Sequence, residues 1–255
     1  MNLQEGLLGY LLFNAFNSDT GNINFLLIQI GAVVATIAIA YLLGSLNSAI
    51  ITSKVLFGDD IRRHGSGNAG LTNMLRTYGK RAAVFTLLGD LLKTAIAIVI
   101  AGVIGGFGYV GGIAVGFTQA VPLVYIAALF AVLGHIFPIY YKFKGGKGVL
   151  CTAVAALILN PIEFAILIAI WILMVCLTKY VSLASVTVAM LYPVVVHGHF
   201  SVAFGGQEHG IVALVTILLA IIIVYCHREN LKRISEGTER KISIGKPPKK
   251  DGDKD

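Results

Sequence analysis

The chain has 255 residues, 56% hydrophobic and only 13% charged, with a mean hydropathy of +0.82. That leaves too little polar surface to coat a water-soluble core, so composition excludes a soluble globular domain and indicates an all-α integral membrane protein. The net charge of +7 is one-sided: all 20 Lys and Arg residues fall within 54–93, within 142–147, at Lys179, or within 228–254, and the positive-inside rule turns those segments toward the cytoplasm.

Residues 1–24 read as an N-terminal extension, interfacial or loose. With no basic residue before the apolar stretch and no small-residue cleavage site, no cleaved signal peptide is expected. From Thr20 to Ser53 nothing is charged, which is room for a first span. The polar stretch from Asp59 to Arg76 follows. It contains Gly65-x-Gly67-x-x-Gly70, formally a dinucleotide fingerprint, but one that carries meaning only between a strand and a helix of a soluble unit. Its Ser, Asn and Thr groups offer hydrogen bonds, and Arg76 offers a planar cationic fork for an oxyanion; the plain alternative is a solvated connector.

A second span is expected from about Ala82. It carries Asp90 and Lys93, three residues apart on one helical face, and the cost of a lone intramembrane charge predicts that they pair. No charge occurs from Thr94 to Tyr141, which covers the end of this span, an outer turn marked by glycines between Gly102 and Gly112, and the third span.

Lys144-Gly145-Gly146-Lys147-Gly148 comes next, just before an apolar helix from Val149. Glycines there let a ligand approach backbone amides, the helix start contributes partial positive charge, and two lysines add full charge. It is not a nucleotide P-loop: Tyr141 stands where the leading Gly belongs, and no Ser or Thr follows Lys147. A phosphate site and an ordinary basic membrane loop both remain open on this stretch alone.

Val149 to Ile162 is short for a span, and Asn160-Pro161 marks its end. Further helices are expected to about Thr178, from Ser182 to about His199, and from His209 to Cys226. Together they give a seven-helix transmembrane bundle with its N-terminus outside and its C-terminus cytoplasmic; five spans satisfy the same parity. The transmembrane domain covers 25–235, and 236–255 reads as a basic, disordered cytoplasmic tail.

His197, His199, Glu208 and His209 cluster near an outer turn without ligand spacing, so no metal is expected. Cys151, Cys176 and Cys226 show no paired spacing and read as packing residues. His227 and Asn230 share a helix face at the inner end of the last span. The polar clusters thus gather at one membrane face and are rich in donors and poor in acids, which predicts an anionic substrate. No His-x-x-x-x-Asp and no Gly-x-Ser-x-Gly occurs, which argues against the common glycerolipid acyltransferases and the serine hydrolases. A transporter or flippase for an anionic metabolite or lipid is the alternative, though it would need polar residues across the midplane.

Gly65-Ser66-Gly67-Asn68 with Thr72-Asn73 and Arg76, Gly134-His135 with Phe143 to Val149, Tyr180 to Ser185, and His227-Arg228-Glu229-Asn230, in this order, resemble the bacterial acyl-phosphate:glycerol-3-phosphate acyltransferases from about Tyr41 to about Glu239. The resemblance implies a seven-span fold in the bacterial inner membrane with a cytoplasm-facing site. It also implies the reaction of acyl phosphate with glycerol 3-phosphate to give lysophosphatidic acid and phosphate, the first acylation of phospholipid synthesis. The substrates and the lipid bilayer are then the partners, with no cofactor and no nucleic acid. By the same resemblance Ser66, Arg76, Lys147, His227 and Asn230 carry the catalytic roles, and Asn68, Thr72, Asn73, Lys144, Gly145, Gly146, Gly148 and Ser182 hold substrate. The chain departs from the family pattern at Asn47, at Leu71 before Thr72, and at Leu150-Cys151 after Gly-Val.

Overall fold

The computed structural model describes residues 21–105, 109–110, 113–114, 120–204 and 210–242. Helix α1, Gly21–Gly44, breaks at Ser45–Asn47 into α2, Ser48–Phe57. The break is capped locally, since the Asn47 side chain accepts from the Ile50 amide at 3.1 Å. After a 3-10 turn at Ile61–Arg63, α3 runs from Leu71 to Gly105 with a break at Gly79, whose φ is 82°. The break leaves a short helical segment from Leu71, which carries Thr72, Asn73 and Arg76, ahead of the long helix that starts just past Gly79, close to the Ala82 expected for the second span. A two-residue ladder joins β1, Tyr109–Val110, to β2, Ile113–Ala114.

The chain continues with α4, Ala120–Ile136, and the short α5, Val149–Leu159. Asn160 ends α5 and caps α6, Pro161–Thr178, by accepting from the Ile162 and Glu163 amides; Pro161 occupies the first helical turn, where its missing N–H costs nothing. Then come α7, Val181–Phe204, α8, Gly210–Cys226, and α9, Arg228–Ser235, bent 53° away from α8. Among the described residues, five segments are long and apolar enough to cross a bilayer, or six if α8 and α9 count as one bent span; α5 is apolar but has only 11 residues.

The helices are turned inside out relative to a soluble bundle. Along α3, Val84, Phe85, Leu88, Leu92, Ile96, Val99 and Val103 are exposed at helical spacing, whereas Asp90, Lys93, Ala97 and Ala101 are buried. That exposed apolar stripe is a lipid-facing surface. Helix α4 packs on α1 closely enough to require glycine at the crossing: a methyl group on Gly44 would strike the Ala131 backbone, and one on Gly134 the Tyr41 and Ser45 backbone.

Helices α1 to α4 form one half of the bundle and α6 to α8 the other, with α5 against α3, α4 and α6. Among the described residues, the connecting segments gather in separate clusters. Arg62 donates to the carbonyls of Tyr141 (2.9 Å) and Lys144 (3.1 Å), and the Ile242 amide donates to Lys179 (2.9 Å). Elsewhere, Asn160 and Glu163 meet His199. The 11 residues of α5, about 16 Å of helix, link the lysine loop to the Asn160–Glu163–His199 cluster.

Candidate functional site

Between the two halves lies a cavity of about 860 Å³. Its mouth is built from Gly65, Ser66, Asn68, Thr72, Asn73 and Arg76 on one side and from Ser182, His227, Asn230, Arg233, Glu239 and Arg240 on the other, with Lys147 and Gly148 between them. Its depth is apolar, lined by Leu150, Ala153 and Ala156 of α5, Phe164, Leu167, Ile168 and Trp171 of α6, and Val188, Ala189 and Tyr192 of α7.

Local chemistry fixes the mouth. Asn73 is buried and its amide organises the preceding loop: Oδ1 accepts from the Ser66 amide (3.1 Å) while Nδ2 donates to the carbonyls of His64 (3.0 Å) and Asn68 (3.1 Å). Asp60 pairs with Arg62 at 2.6 Å, and Arg62 latches this loop to the lysine loop. Lys142 and Phe143 both take left-handed backbone, φ 58° and 57°, a strained pair for side chains with Cβ atoms and a sign of a tightly determined turn. Gly148, with φ 81°, starts α5. The first amides of that helix have no intrahelical acceptor, and Val149 and Leu150 line the cavity.

Lys147 donates to Asn230 Oδ1. Asn230 Nδ2 donates to Glu239 Oε1 at 2.6 Å, Ser182 Oγ donates to the same oxygen at 2.8 Å, and Arg233 Nε donates to Oε2 at 2.7 Å. A carboxylate only accepts, so Glu239 fixes which way the Asn230 amide points and turns its oxygen to Lys147. Burial pulls the Lys147 pKa down to about 8, helped by Arg233 and opposed by Glu239. For Glu239 burial favours the neutral acid, but the bonds from Asn230, Arg233 and Ser182 outweigh it and hold the carboxyl below its usual range.

His227 sits at the bend between α8 and α9. Its Nδ1 is 2.8 Å from the Ile223 carbonyl, an acceptor only, so Nδ1 carries the proton and Nε2 keeps its lone pair. Burial drives its pKa down to about 4 against that bond, and the Lys147 charge adds to the effect. The ring is neutral at physiological pH.

A second charged group borders the cavity. Asp90, Lys93 and His135 are 1%, 5% and 4% exposed. Lys93 Nζ is 2.8 Å from Asp90 Oδ1 and 3.0 Å from His135 Nδ1, and it donates to the Leu46 carbonyl at 3.0 Å. The Asp90 contact is close yet poorly aligned as a hydrogen bond, so its attraction is ionic rather than directional. The expected Asp90–Lys93 pair is present. Ligand atoms of Asp90, His135 and Cys151 lie within 4.8 Å of one another, but the Lys93 ammonium already supplies the cation to Asp90 and His135, which disfavours a metal. Of the outer group named from sequence, Glu208 and His209 lie outside the described residues, and His199 binds Glu163 and Asn160.

Residues 34–237 match the family model for glycerol-3-phosphate acyltransferase. The chain belongs to the glycerol-3-phosphate acyltransferase family. Proteins named glycerol-3-phosphate acyltransferase from Clostridioides difficile (strain 630) and Bacillus subtilis (strain 168) are 39% and 37% identical to it over 214 residues each; the alignments cover 84% and 82% of this chain and 97% of each relative. The fold is similar to the crystal structure of PlsY (YgiH), an integral membrane glycerol 3-phosphate acyltransferase. For the glycerol 3-phosphate form the TM-score is 0.70 at 30% identity, covering 84% of this chain and 96% of that one; for the lysophosphatidic acid form it is 0.68 at 28% identity, with the same coverage.

Membership makes the chain an acyltransferase of the PlsY type, and the family's motif residues can be followed onto the geometry. Ser66, Asn68, Thr72, Asn73, Arg76, Lys147, Gly148, Ser182, His227 and Asn230 all line the one cavity. Lys144, Gly145 and Gly146 do not. The Gly145 and Gly146 amides are not open donors, because they bond to the carbonyls of Ile136 (3.0 Å) and His135 (3.1 Å). These glycines let the loop press on the end of α4. A methyl on Gly146 would strike His135 Nε2, and one on Gly145 the His135 carbonyl.

Sequence reasoning missed Glu239. A site expected to be poor in acids holds a carboxylate at the centre of its network. The signal lay in Glu236-Gly237-Thr238-Glu239, where two acids follow a basic helix, beyond a domain boundary drawn at 235. Residues 236–242 pack back on the site instead of leaving it, with the Glu239 amide donating to Arg233 at 3.1 Å.

Proposed function

We propose that the protein transfers an acyl group from acyl phosphate to the sn-1 hydroxyl of glycerol 3-phosphate, releasing lysophosphatidic acid and inorganic phosphate. The observation that carries this reading is the continuity of one cavity from a cationic mouth to an apolar depth, which suits a phosphate-bearing head and an acyl tail at once. A structural neighbour of similar fold was solved in glycerol 3-phosphate and lysophosphatidic acid forms, which supports that acceptor and product here.

Arg76 and Lys147 hold phosphate oxygens, and the first-turn amides of α5 face the transferring group. The glycerol hydroxyl oxygen attacks the acyl carbonyl carbon. The carbon–oxygen bond to phosphate then breaks, its electrons go to the leaving phosphate, and the hydroxyl proton ends on that phosphate. An acyl phosphate is a mixed anhydride with a good leaving group, so orientation and charge stabilisation carry most of the catalysis. We assign the proton to the donor's own phosphate oxygens. Neutral His227, with Nε2 unprotonated, is the rival acceptor; Ser66 and Asn230 position the reacting groups.

The orientation follows from charge. The end bearing Arg62, Lys147, Lys179 and Arg233 faces the cytoplasm, the N-terminus and His199 face outward, and the protein sits in the inner membrane. Seven crossings follow if α5 serves as a short fourth one, which is supported by its link between the lysine loop and the Asn160–Glu163–His199 cluster. Phosphate release by purified protein given acyl phosphate, acyl-CoA and acyl-carrier protein in turn tests the reading. Turnover only with acyl phosphate, surviving dialysis against a chelator, is expected. Activity with acyl-CoA alone, or restored only by one metal, would overturn it.

A further inference from the structure

The apolar depth of the cavity has a definite far wall. It takes in Phe164 of α6 and Tyr192 of α7 but not Asn160, Glu163 or His199; Glu163 is the chain neighbour of Phe164. Those three form a polar cluster: Asn160 Nδ2 donates to Glu163 Oε1 at 3.0 Å, and His199 Nδ1 lies 3.0 Å from that same oxygen and 2.6 Å from Asn160 Nδ2. Glu163 is 0% exposed, and its other oxygen, Oε2, has no hydrogen-bond partner. Tyr192, 2% exposed, lies two helical turns before His199 on the same face of α7.

A hydrocarbon end can displace neither a buried carboxylate nor the groups bonded to it without leaving them unsatisfied. The wall is therefore stiff. From Ser182 at the mouth to Tyr192 at the wall is ten residues of α7, about 15 Å. Midway, Trp171 Nε1 donates to Ser185 Oγ at 3.3 Å and ties α6 to α7, so the groove resists widening sideways.

We propose that Phe164 and Tyr192, backed by the Asn160–Glu163–His199 cluster, set the acyl-chain length the enzyme prefers. The inference rests on the acyl-transfer reading above and adds a specificity-determining wall to it. A chain that just reaches the wall gains burial with every methylene, and one more methylene must fold back or leave between α6 and α7 into lipid. Within the groove each added methylene raises kcat/KM about fourfold, equivalent to about 0.8 kcal/mol. Beyond the wall that gain stops.

The test is a competition in which the purified full-length protein acylates glycerol 3-phosphate from an equimolar series of saturated acyl phosphates, with the product chain lengths read by mass spectrometry. Tyr192→Ala shifts the peak to a longer chain by at least one member of the series. Ala189→Leu, one helical turn nearer the mouth, shifts it to a shorter chain. Phe164→Ala tests the same wall if Tyr192→Ala folds poorly, and a product ratio does not depend on how much protein is folded. An unchanged profile in both Ala189→Leu and either wall variant, or a shift in the opposite sense, overturns the proposal. A parallel acyl-CoA series separates the two claims: product from acyl-CoA alone defeats the donor assignment, while the wall still stands or falls by the shift.

Discussion

Two charged networks border one cavity, and they are built on opposite terms. Asp90, Lys93 and His135 are almost completely buried, and carboxylate, ammonium and imidazole meet at 2.8 to 3.0 Å from a single nitrogen. The Lys147–Asn230–Glu239–Arg233 network opens on the mouth, where its one central carboxylate is outnumbered by Lys147, Arg233, Arg76 and Arg240. The first network balances its charges among buried groups and fixes where α3, α4 and the break before α2 sit. The second carries surplus positive charge that only a further anion can balance. Charge number does not distinguish structure from function here; access and balance do.

The largest effect comes from breaking the closed network. Lys93→Met leaves Asp90 buried without its cation and costs about 3–5 kcal/mol of stability, read as a lower unfolding temperature in mild detergent. Lys147→Ala in the same experiment leaves that temperature nearly unchanged. Its effect appears in catalysis instead: loss of a charged contact to phosphate removes about 1.5–3 kcal/mol, roughly 10- to 150-fold in kcat/KM for glycerol 3-phosphate. If Lys147→Ala lowered stability as much as Lys93→Met, the contrast between the two networks would fail.

Glu239→Ala sharpens the comparison from within the open network. Without the carboxylate the Asn230 amide can turn and Arg233 loses its anchor, so kcat/KM should fall by on the order of tenfold. Steady-state kinetics against glycerol 3-phosphate checks this; a gain in affinity would mean that Glu239 chiefly competes with substrate. The smallest effect concerns His227. Because the folded pKa lies near 4, the ring stays neutral as pH falls from 8 to 5, and any limb near pH 6 to 7 in single-turnover rates belongs to substrate phosphate. His227→Gln keeps that limb at a lower rate; a limb that vanishes in the variant makes His227 the base.

Much of the architecture was legible because the bilayer leaves few options. Long uncharged runs became helices, and Asp90 and Lys93 pair as their spacing requires. Four features were less legible, each for a physical reason. The Gly145 and Gly146 amides face carbonyls at the end of α4, a contact that depends on how the loop folds back and has no local signature. Arg76 belongs to a helix because α3 begins at Leu71, before the polar residues end and despite the break at Gly79. Glu239 lies beyond the last apolar helix in a segment whose composition reads as tail, and only the return of residues 236–242 to Lys179 and Arg233 brings it to the site. Glu163, a single acid at the edge of an apolar helix, drew no attention from sequence because its partner His199 is 36 residues away.

The central claim, that the ammonium of Lys147 holds the phosphate of the acceptor, is tested most directly by titrating purified protein with glycerol 3-phosphate between pH 7 and 9.5. With its pKa lowered to about 8, Lys147 is charged below that pH and loses its proton above it, so binding weakens as pH rises through 8, approaching tenfold per unit if binding requires the charged form. Lys147→Arg, which stays charged throughout, removes the bend. A dissociation constant that is flat to pH 9.5 in the parent, or an identical bend in Lys147→Arg, would contradict the account.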